Sequence, residues 1–307
     1  MLVLLNPHAA YGRASSIWET VRDELASRVG AFRVVETTTP EDARCAVADA
    51  VEGGETVVVA AGGDGTVHEV ANALIRTDGA REVALGAVGL GSSNDFHKPY
   101  RRDAFIGGVP VRVDCEHAGP RDVIRLSVEP PEGAKTVSYA VLNASIGITA
   151  ETNAVFNDAP PFVRAARTLS IDAAIVAAML TTLARFRDIP CRLAIDGADE
   201  GIRSVSNLGV IKSTHFAGSF TYDTPLEPDD GLVSVNLCER LTRFQAVATL
   251  AALGRGRFRG RPKTTSWTAR HVAVASEEPF AVEMDGEVER ARSVEFSVLQ
   301  KGIRCCR

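Results

Sequence analysis

The stretch "AAGGDGTVHEVANAL", residues 60 to 74, decides the fold. A β-branched apolar run, Thr56–Ala61, leads into it. Three glycines then surround one aspartate, and a helical stripe of Val67, Val70, Ala71 and Leu74 leads out. That order predicts a strand, a turn of bare backbone and a helix. Gly62, Gly63 and Gly65 let a ligand approach the main chain, Thr66 is a capping residue, and the helix start adds partial positive charge. This is the chemistry of a phosphate site. An aspartate among phosphates repels them unless a cation intervenes, so Asp64 points to Mg²⁺ and phosphoryl transfer. No Gly-Lys-Ser/Thr occurs in the chain and the turn is not Gly-x-Gly-x-x-Gly, so neither a Walker A loop nor a dinucleotide fingerprint explains it.

Outward from this turn the first third alternates. Met1–Leu5, Phe32–Val35, Thr56–Ala61 and Val83–Val88 read as strands. Ala14–Arg28, Pro40–Val51 and Thr66–Ile75 read as helices between them, the spacing of a doubly wound parallel sheet. After about Asp114 short alternating strands separated by Gly/Pro/Asp turns take over, with helices over Pro161–Arg187 and Thr242–Leu253. The expected domains are 1–115, α/β, and 116–295, β-rich, with the tail 296–307 returning to the first. The expected fold class is α/β plus β-rich: a doubly wound, Rossmann-like domain followed by an antiparallel β-sandwich or barrel.

Bulk properties narrow the partners. At 307 residues with 45% hydrophobic and 24% charged residues, the chain has the make-up of a two-domain globular protein. A formal charge of −5 argues against a nucleic-acid binder that works by overall charge. Six cysteines without a Cys-x-x-Cys pair read as reduced thiols rather than a zinc site or disulfides. "MLVLLNPHAA" is too short for a secretory leader and Ala173–Ala184 too short to cross a bilayer, so a cytoplasmic location is expected.

A second glycine turn, "LGSSNDF" (Leu90–Phe96), follows the next strand, and "LLNPHAAYGRA" follows the first, so three strand ends carry polar turns at one edge. In an open α/β sheet ligands bind at that edge. Together "GGDGTVHEVANAL", "NPHAAYGRA", "GSSNDF", "LNASIGITAE", "EPDDGLVSV" and "EMDGEVE" resemble, in order, the diacylglycerol kinase catalytic-domain family, which includes bacterial soluble lipid kinases, sphingosine kinases and ceramide kinases. Two departures are visible: Ser93 stands where the family has a small flexible residue, and Ala10 where its first loop often has glycine.

The resemblance implies a nucleotide-binding, NAD-kinase-like first domain (1–115) and a lipid-binding second domain (116–295), and it implies roles position by position. Asn6, Pro7, Thr37, the stretch Gly62, Gly63, Asp64, Gly65, Thr66, Val67 and His68, and then Ser92, Asn94 and Asp95, match nucleotide contacts. Asp230, with main-chain groups at Glu227 and Leu232, matches a structural Mg²⁺ site of the bacterial members. Glu287 matches the proposed proton acceptor, with Asp285 beside it, and Asp64 completes the catalytic set. A lipid hydroxyl is a poor nucleophile, and a nearby carboxylate that takes its proton suits this assignment.

The implied activity is ATP- and Mg²⁺-dependent phosphorylation of a lipid hydroxyl, with diacylglycerol leading. A sphingoid base, ceramide, phosphatidylglycerol or NAD as acceptor is the alternative, and a non-catalytic binding homologue is another. "GRGRFRGRPK" (Gly254–Lys263) offers Arg255, Arg257 and Arg259 to anionic membrane, with Phe258 to insert, for reversible attachment. The sequence leaves a homodimer open.

Overall fold

Val57–Gly62 are six consecutive buried residues with no polar side chain among them, as in a strand covered on both faces. The structure, a computed structural model, describes residues 1–98 and 104–307, without the side chains of Ile171 and Asp172. By internal packing the chain divides into two units. The first is Met1–Val123 with Pro228–Asp230 and Gln300–Arg307, and the second is Ile124–Glu227 with Gly231–Leu299.

The first unit runs β1 (Leu2–Leu5), a distorted turn α1 (Ala9–Gly12), α2 (Ala14–Val29), β2 (Arg33–Glu36), α3 (Pro40–Glu52), β3 (Val57–Gly62), α4 (Asp64–Arg76), β4 (Ala84–Gly89), β5 (Phe105–Ile106) and β6 (Val109–Arg112). Strands β4, β3, β1 and β2 are parallel neighbours in that order. Leu2 faces Arg33 on one side and Val58 on the other, and Val58 faces Leu85. Beyond β4 the chain's last residues add another parallel piece, with Arg304 beside Ala84 and Cys305 beside Leu85. Helix α2 buries Ala14, Trp18, Val21 and Leu25 against this sheet's core, and each large side chain contributes about 1.5–3 kcal/mol. Helix α3 starts at a capping box, Thr39 with Asp42, and Pro40 stands where no N–H is needed.

The second unit contains β7 (Gly119–Glu129) from Ile124 onward, β8 (Thr136–Ala140), β9 (Asn143–Gly147), α5 (Ile148–Asp158), α6 (Pro161–Leu169), α7 (Ile171–Arg185), β10 (Ile189–Ile195), β11 (Ala198–Ile211), β12 (His215–Phe216), β13 (Phe220–Thr221), β14 (Val233–Glu239), α8 (Arg243–Leu253), β15 (Thr264–Ala269), β16 (His271–Met284) and β17 (Glu287–Cys305), the last up to Leu299. The strand order is β15-β14-β11-β10-β16-β17, all antiparallel. Two long strands organise it. The first half of β11 and of β16 pairs with β10, and their second halves pair with β9, with a register shift in each between the halves. Their inward residues, among them Leu208, Val210, Phe280 and Val282, form the core.

The architecture is the expected one, an α/β unit and an antiparallel β unit, and it corrects three details. Helix α5 is missing from the sequence reading because no side chain caps it. It starts at Gly147, whose φ of 91° and crowding against the Ser206 carbonyl exclude a Cβ. Pro161–Arg187 is two helices rather than one, broken at Ser170, whose hydroxyl accepts from the N–H of Ala173 to start α7. Two of the six cysteines, Cys115 and Cys306, form a disulfide. They are 191 residues apart, and only the return of the tail brings them together. No helix among the described residues is long and apolar enough to cross a membrane.

Candidate active site

In the first unit the phosphate turn stands at the carboxyl end of β3, and its two neighbours complete it. Gly63 is the N-cap of α4, with no side-chain cap on that helix's first turn. The second turn leaves β4 and comes so close that a Cβ on Gly91 would lie 2.4 Å from the Cα of Gly63. Both turns are therefore glycine because they touch. From β1, Asn6 donates its side-chain amide to the Thr66 hydroxyl at 3.1 Å, and its N–H bonds the Ala61 carbonyl at 3.0 Å. Pro7 follows it. From β2, Thr37 donates its N–H to the Leu5 carbonyl at 2.9 Å, and its buried hydroxyl oxygen has no partner among the described residues. Four parallel strand ends thus contribute.

Asp64 fastens the two turns. One carboxylate oxygen accepts the N–H of Asp95 at 3.0 Å and the other the N–H of Phe96 at 2.9 Å. The sequence reading made Asp64 a cation ligand; the geometry gives it a positioning task as well. Asn94 and Asp95, read as nucleotide contacts, are likewise engaged in holding the turn. The Asn94 side chain accepts from the N–H of Gly91 at 3.1 Å and donates to the carbonyls of Gly89 and Gly91, with its own φ at 50°. Asp95 is buried and paired with Lys98 at 2.8 Å. Ser92 is exposed at the tip. Val67 is core, and His68 is buried on α4, its ring 3.4 Å from the Asn72 amide.

His97, just past the second turn, is buried, and its Nδ1 has no partner among the described residues. Burial, helped by the Arg112 charge, pushes its pKa down from 6.5 to about 3. The ring is thus neutral at ordinary pH. It lines a hollow of about 570 Å³ with Met1, Arg28, Arg112, Asp114 and Arg307. No other residue from Leu90 to His97 lines it, so the hollow and the glycine turns are separate features.

In the second unit "MDGE" is a two-residue hairpin turn between β16 and β17, with Met284 opposite Glu287 and positive φ at Asp285 and Gly286. Asp285 is an anchor. Its carboxylate accepts three main-chain N–H groups, from Val141 at 2.7 Å, Leu142 at 3.0 Å and Asn143 at 2.9 Å. Glu283, which the sequence reading passed over, is also buried, and accepts from the Ser145 hydroxyl at 2.7 Å and the N–H of Gly286 at 2.8 Å. Its signal was a carboxylate inside the apolar run "FAVEM". Glu287, by contrast, is exposed at the start of β17. Asn143 donates its amide to the His215 carbonyl at 2.9 Å and keeps a buried carbonyl oxygen without a partner among the described residues.

The residues matched to a structural metal lie on the loop after β13. Asp230 and Glu227 are exposed there. The carbonyl oxygens of Glu227 and Leu232 both accept from the Nζ of Lys212, at 2.7 and 2.8 Å. Lys212 is another residue the sequence reading missed, since one lysine after a strand looks like a surface residue. No cluster of three or more His, Cys, Asp or Glu suited to a metal ion occurs among the described residues.

The basic loop after α8 corrects a further expectation. Phe258 does not point outward: it is fully buried, edge-on to Tyr222 at 5.0 Å, and Asp223 accepts the N–H groups of Phe258 and Arg259. Arg255, Arg257 and Arg259 remain exposed around it.

Known proteins resemble this chain over most of its length. The family described as "Diacylglycerol kinase catalytic domain" matches residues 1–109, and "YegS C-terminal NAD kinase beta sandwich-like domain" matches residues 143–306, more than half of the chain. A "Probable lipid kinase YegS-like" of Pseudomonas aeruginosa is 28% identical over 298 residues, covering 93% of this chain and 89% of the relative. One of Stenotrophomonas maltophilia is 26% identical over 301 residues, covering 92% and 91%. Among solved structures, a putative diacylglycerol kinase from Bacillus anthracis superposes with a TM-score of 0.74 at 18% identity, covering 99% of this chain and 94% of that one. Yeast NADH kinase superposes with a TM-score of 0.51 at 10% identity, covering 99% and 82%, a likeness of fold alone. With strand-end glycine turns under the first family model and the antiparallel unit under the second, the chain belongs to the diacylglycerol kinase catalytic-domain family of kinases, with a YegS-type C-terminal β-sandwich.

Proposed function

We propose that this kinase transfers the γ-phosphoryl group of ATP to the hydroxyl of a membrane lipid, with diacylglycerol as the leading acceptor and phosphatidic acid as the product. The observation that carries the reading is the pair of touching glycine turns at adjacent parallel strand ends, fastened by Asp64, which leaves main-chain N–H groups for phosphate oxygens. Asn6, Thr37, Ser92 and the turn Gly62–Thr66 hold the nucleotide in this reading. Mg²⁺ that travels with ATP supplies charge neutralisation at the phosphates, with Asp64 as the carboxylate in the phosphate turn.

Glu287 is the proton acceptor in this proposal. The acceptor hydroxyl oxygen attacks the γ-phosphorus, the bond from that phosphorus to the bridging oxygen breaks, and ADP leaves with the electron pair. The hydroxyl proton goes to a Glu287 carboxylate oxygen. Asp285 and Glu283 set the turn that carries Glu287.

The lipid reaches the protein at a bilayer surface. Exposed apolar side chains stand on three helices of the second unit: Phe162 and Leu169 on α6, Val176 and Leu180 on α7, Phe244 and Val247 on α8. Residues 243–263 carry Arg243, Arg255, Arg257, Arg259, Arg261 and Lys263 and no acidic residue. Apolar anchors beside basic side chains suit anionic headgroups, each near-surface charge contributing about 1 kcal/mol. Phe244, 81% exposed, takes the inserting role that Phe258 does not have.

The test is phosphoryl transfer from labelled ATP by purified protein to diacylglycerol, monoacylglycerol, sphingosine, ceramide, phosphatidylglycerol and NAD. Labelled phosphatidic acid is the expected product. Transfer to NAD with none to any lipid would overturn the lipid reading.

A further inference from the structure

The loop Glu227–Leu232 turns its main chain inward on one side chain. Lys212, one residue beyond β11, is 1% exposed, and its Nζ donates to the carbonyl oxygens of Glu227 and Leu232. Its backbone N–H is held at 2.8 Å by the Leu142 carbonyl, so the side chain leaves from a fixed point. An ammonium removed from water is costly unless charge or hydrogen bonds compensate it. Two converging carbonyls at 2.7 and 2.8 Å provide that compensation.

These are the carbonyls that the family resemblance reserves, with Asp230, for Mg²⁺. A Mg²⁺ ion binds oxygen at about 2.0–2.1 Å and demands near-octahedral ligands. An ammonium already donating to both oxygens occupies that position, and a second cation would meet it at contact range in a buried setting. The residues present do not fit the divalent ion. We propose that Lys212 is a tethered replacement for the structural metal, its ammonium closing the Glu227–Leu232 loop in every copy of the protein. A tethered cation is present at unit stoichiometry and does not answer to mass action, so the loop is indifferent to free Mg²⁺ and to chelators. This concerns the fold of the loop alone and stands whether or not the acceptor is a lipid.

The test is thermal melting of the full chain without nucleotide or lipid. The wild type is expected to melt at the same temperature in EDTA and in millimolar Mg²⁺. Lys212→Met keeps most of the apolar length and removes the charge, and is expected to melt roughly 5–10 °C lower in both. A saturable rise in wild-type melting with Mg²⁺ that Asp230→Asn abolishes would overturn the proposal, and so would a Lys212→Met protein that melts like the wild type. Should that variant fail to fold, Mn²⁺ binding to the wild type decides by electron paramagnetic resonance. Free Mn²⁺ signal alone supports the tethered cation, and a bound ion lost in Asp230→Asn refutes it.

Discussion

Asp285→Asn separates an anchor from a catalytic base. Asparagine tolerates the left-handed backbone that Asp285 adopts at φ 50°, so the substitution adds no conformational penalty of the kind alanine would bring. The amide oxygen can still accept from Leu142 and Asn143, but these bonds drop from charge-assisted to neutral, a loss of about 1 kcal/mol each. The amide nitrogen meets the N–H of Val141, which is left buried without an acceptor at a cost of about 1–3 kcal/mol. The sum is about 3–5 kcal/mol, a large share of the roughly 5–15 kcal/mol that holds a typical fold. For a chain of this size that lowers Tm by roughly 10 °C. The assay is a melting curve in parallel with hydrogen exchange at Val141–Asn143. Exchange should also quicken at Lys212 and Ser213, whose N–H groups both bond the Leu142 carbonyl. A variant that melts like the wild type, with normal exchange but a collapsed kcat, would refute the anchoring role and return Asp285 to the reacting atoms.

Three further outcomes are expected. Asp64→Asn leaves an acceptor for only one of the two N–H groups of Asp95 and Phe96, so turnover should vanish while Tm falls only a few degrees; full activity would show that the two turns need no clasp. Glu287→Gln should lower kcat about 10²–10⁴-fold with unchanged Tm and ATP affinity, because the side chain is exposed; a weakened ATP affinity at normal kcat would make it a nucleotide contact instead. Because His97 titrates near 3 in the fold and 6.5 when unfolded, the unfolded chain binds the extra proton between these values. Its contribution is therefore complete above pH 6.5 and is lost as pH falls toward 3, by up to about 1.4 kcal/mol per pH unit; His97→Gln should flatten the acid limb of a stability–pH curve, and an unchanged limb would sink the assignment.

The parallel sheet and its phosphate turn were legible because they are local: "VVVAAGGDGTVHEV" carries the strand, the turn and the helix stripe within 14 residues. The long-range parts were not. Asp285 and Glu287 sit two residues apart, yet one faces three buried N–H groups and the other faces water, and no spacing distinguishes them. Phe258 looked like an inserting aromatic among arginines, but its burial depends on Tyr222 and on the grip of Asp223, over 30 residues earlier. Lys212 reads as a solvated lysine until the loop 15 residues later closes on it. Helix α5 lacked a cap signal because its entry is set by crowding at Gly147 rather than by a side chain.

The first unit is discontinuous: its edge piece beside β4 and its disulfide partner Cys306 come from residues 300–307. Synthesis is vectorial, so the phosphate turn is made early and waits for that piece. At about 5–20 residues per second, the 191 residues between Cys115 and Cys306 take on the order of 10–40 s to emerge from the ribosome. Throughout that interval the outer side of β4 lacks its Arg304–Cys305 partner, and the nascent first unit is an incomplete sheet exposed to chaperones. The β-rich second unit, by contrast, has nearly all its strands in hand before the tail appears. A slowed ribosome between residues 231 and 299 would therefore lengthen the vulnerable period of the nucleotide-binding half, even though no residue of that half is being made.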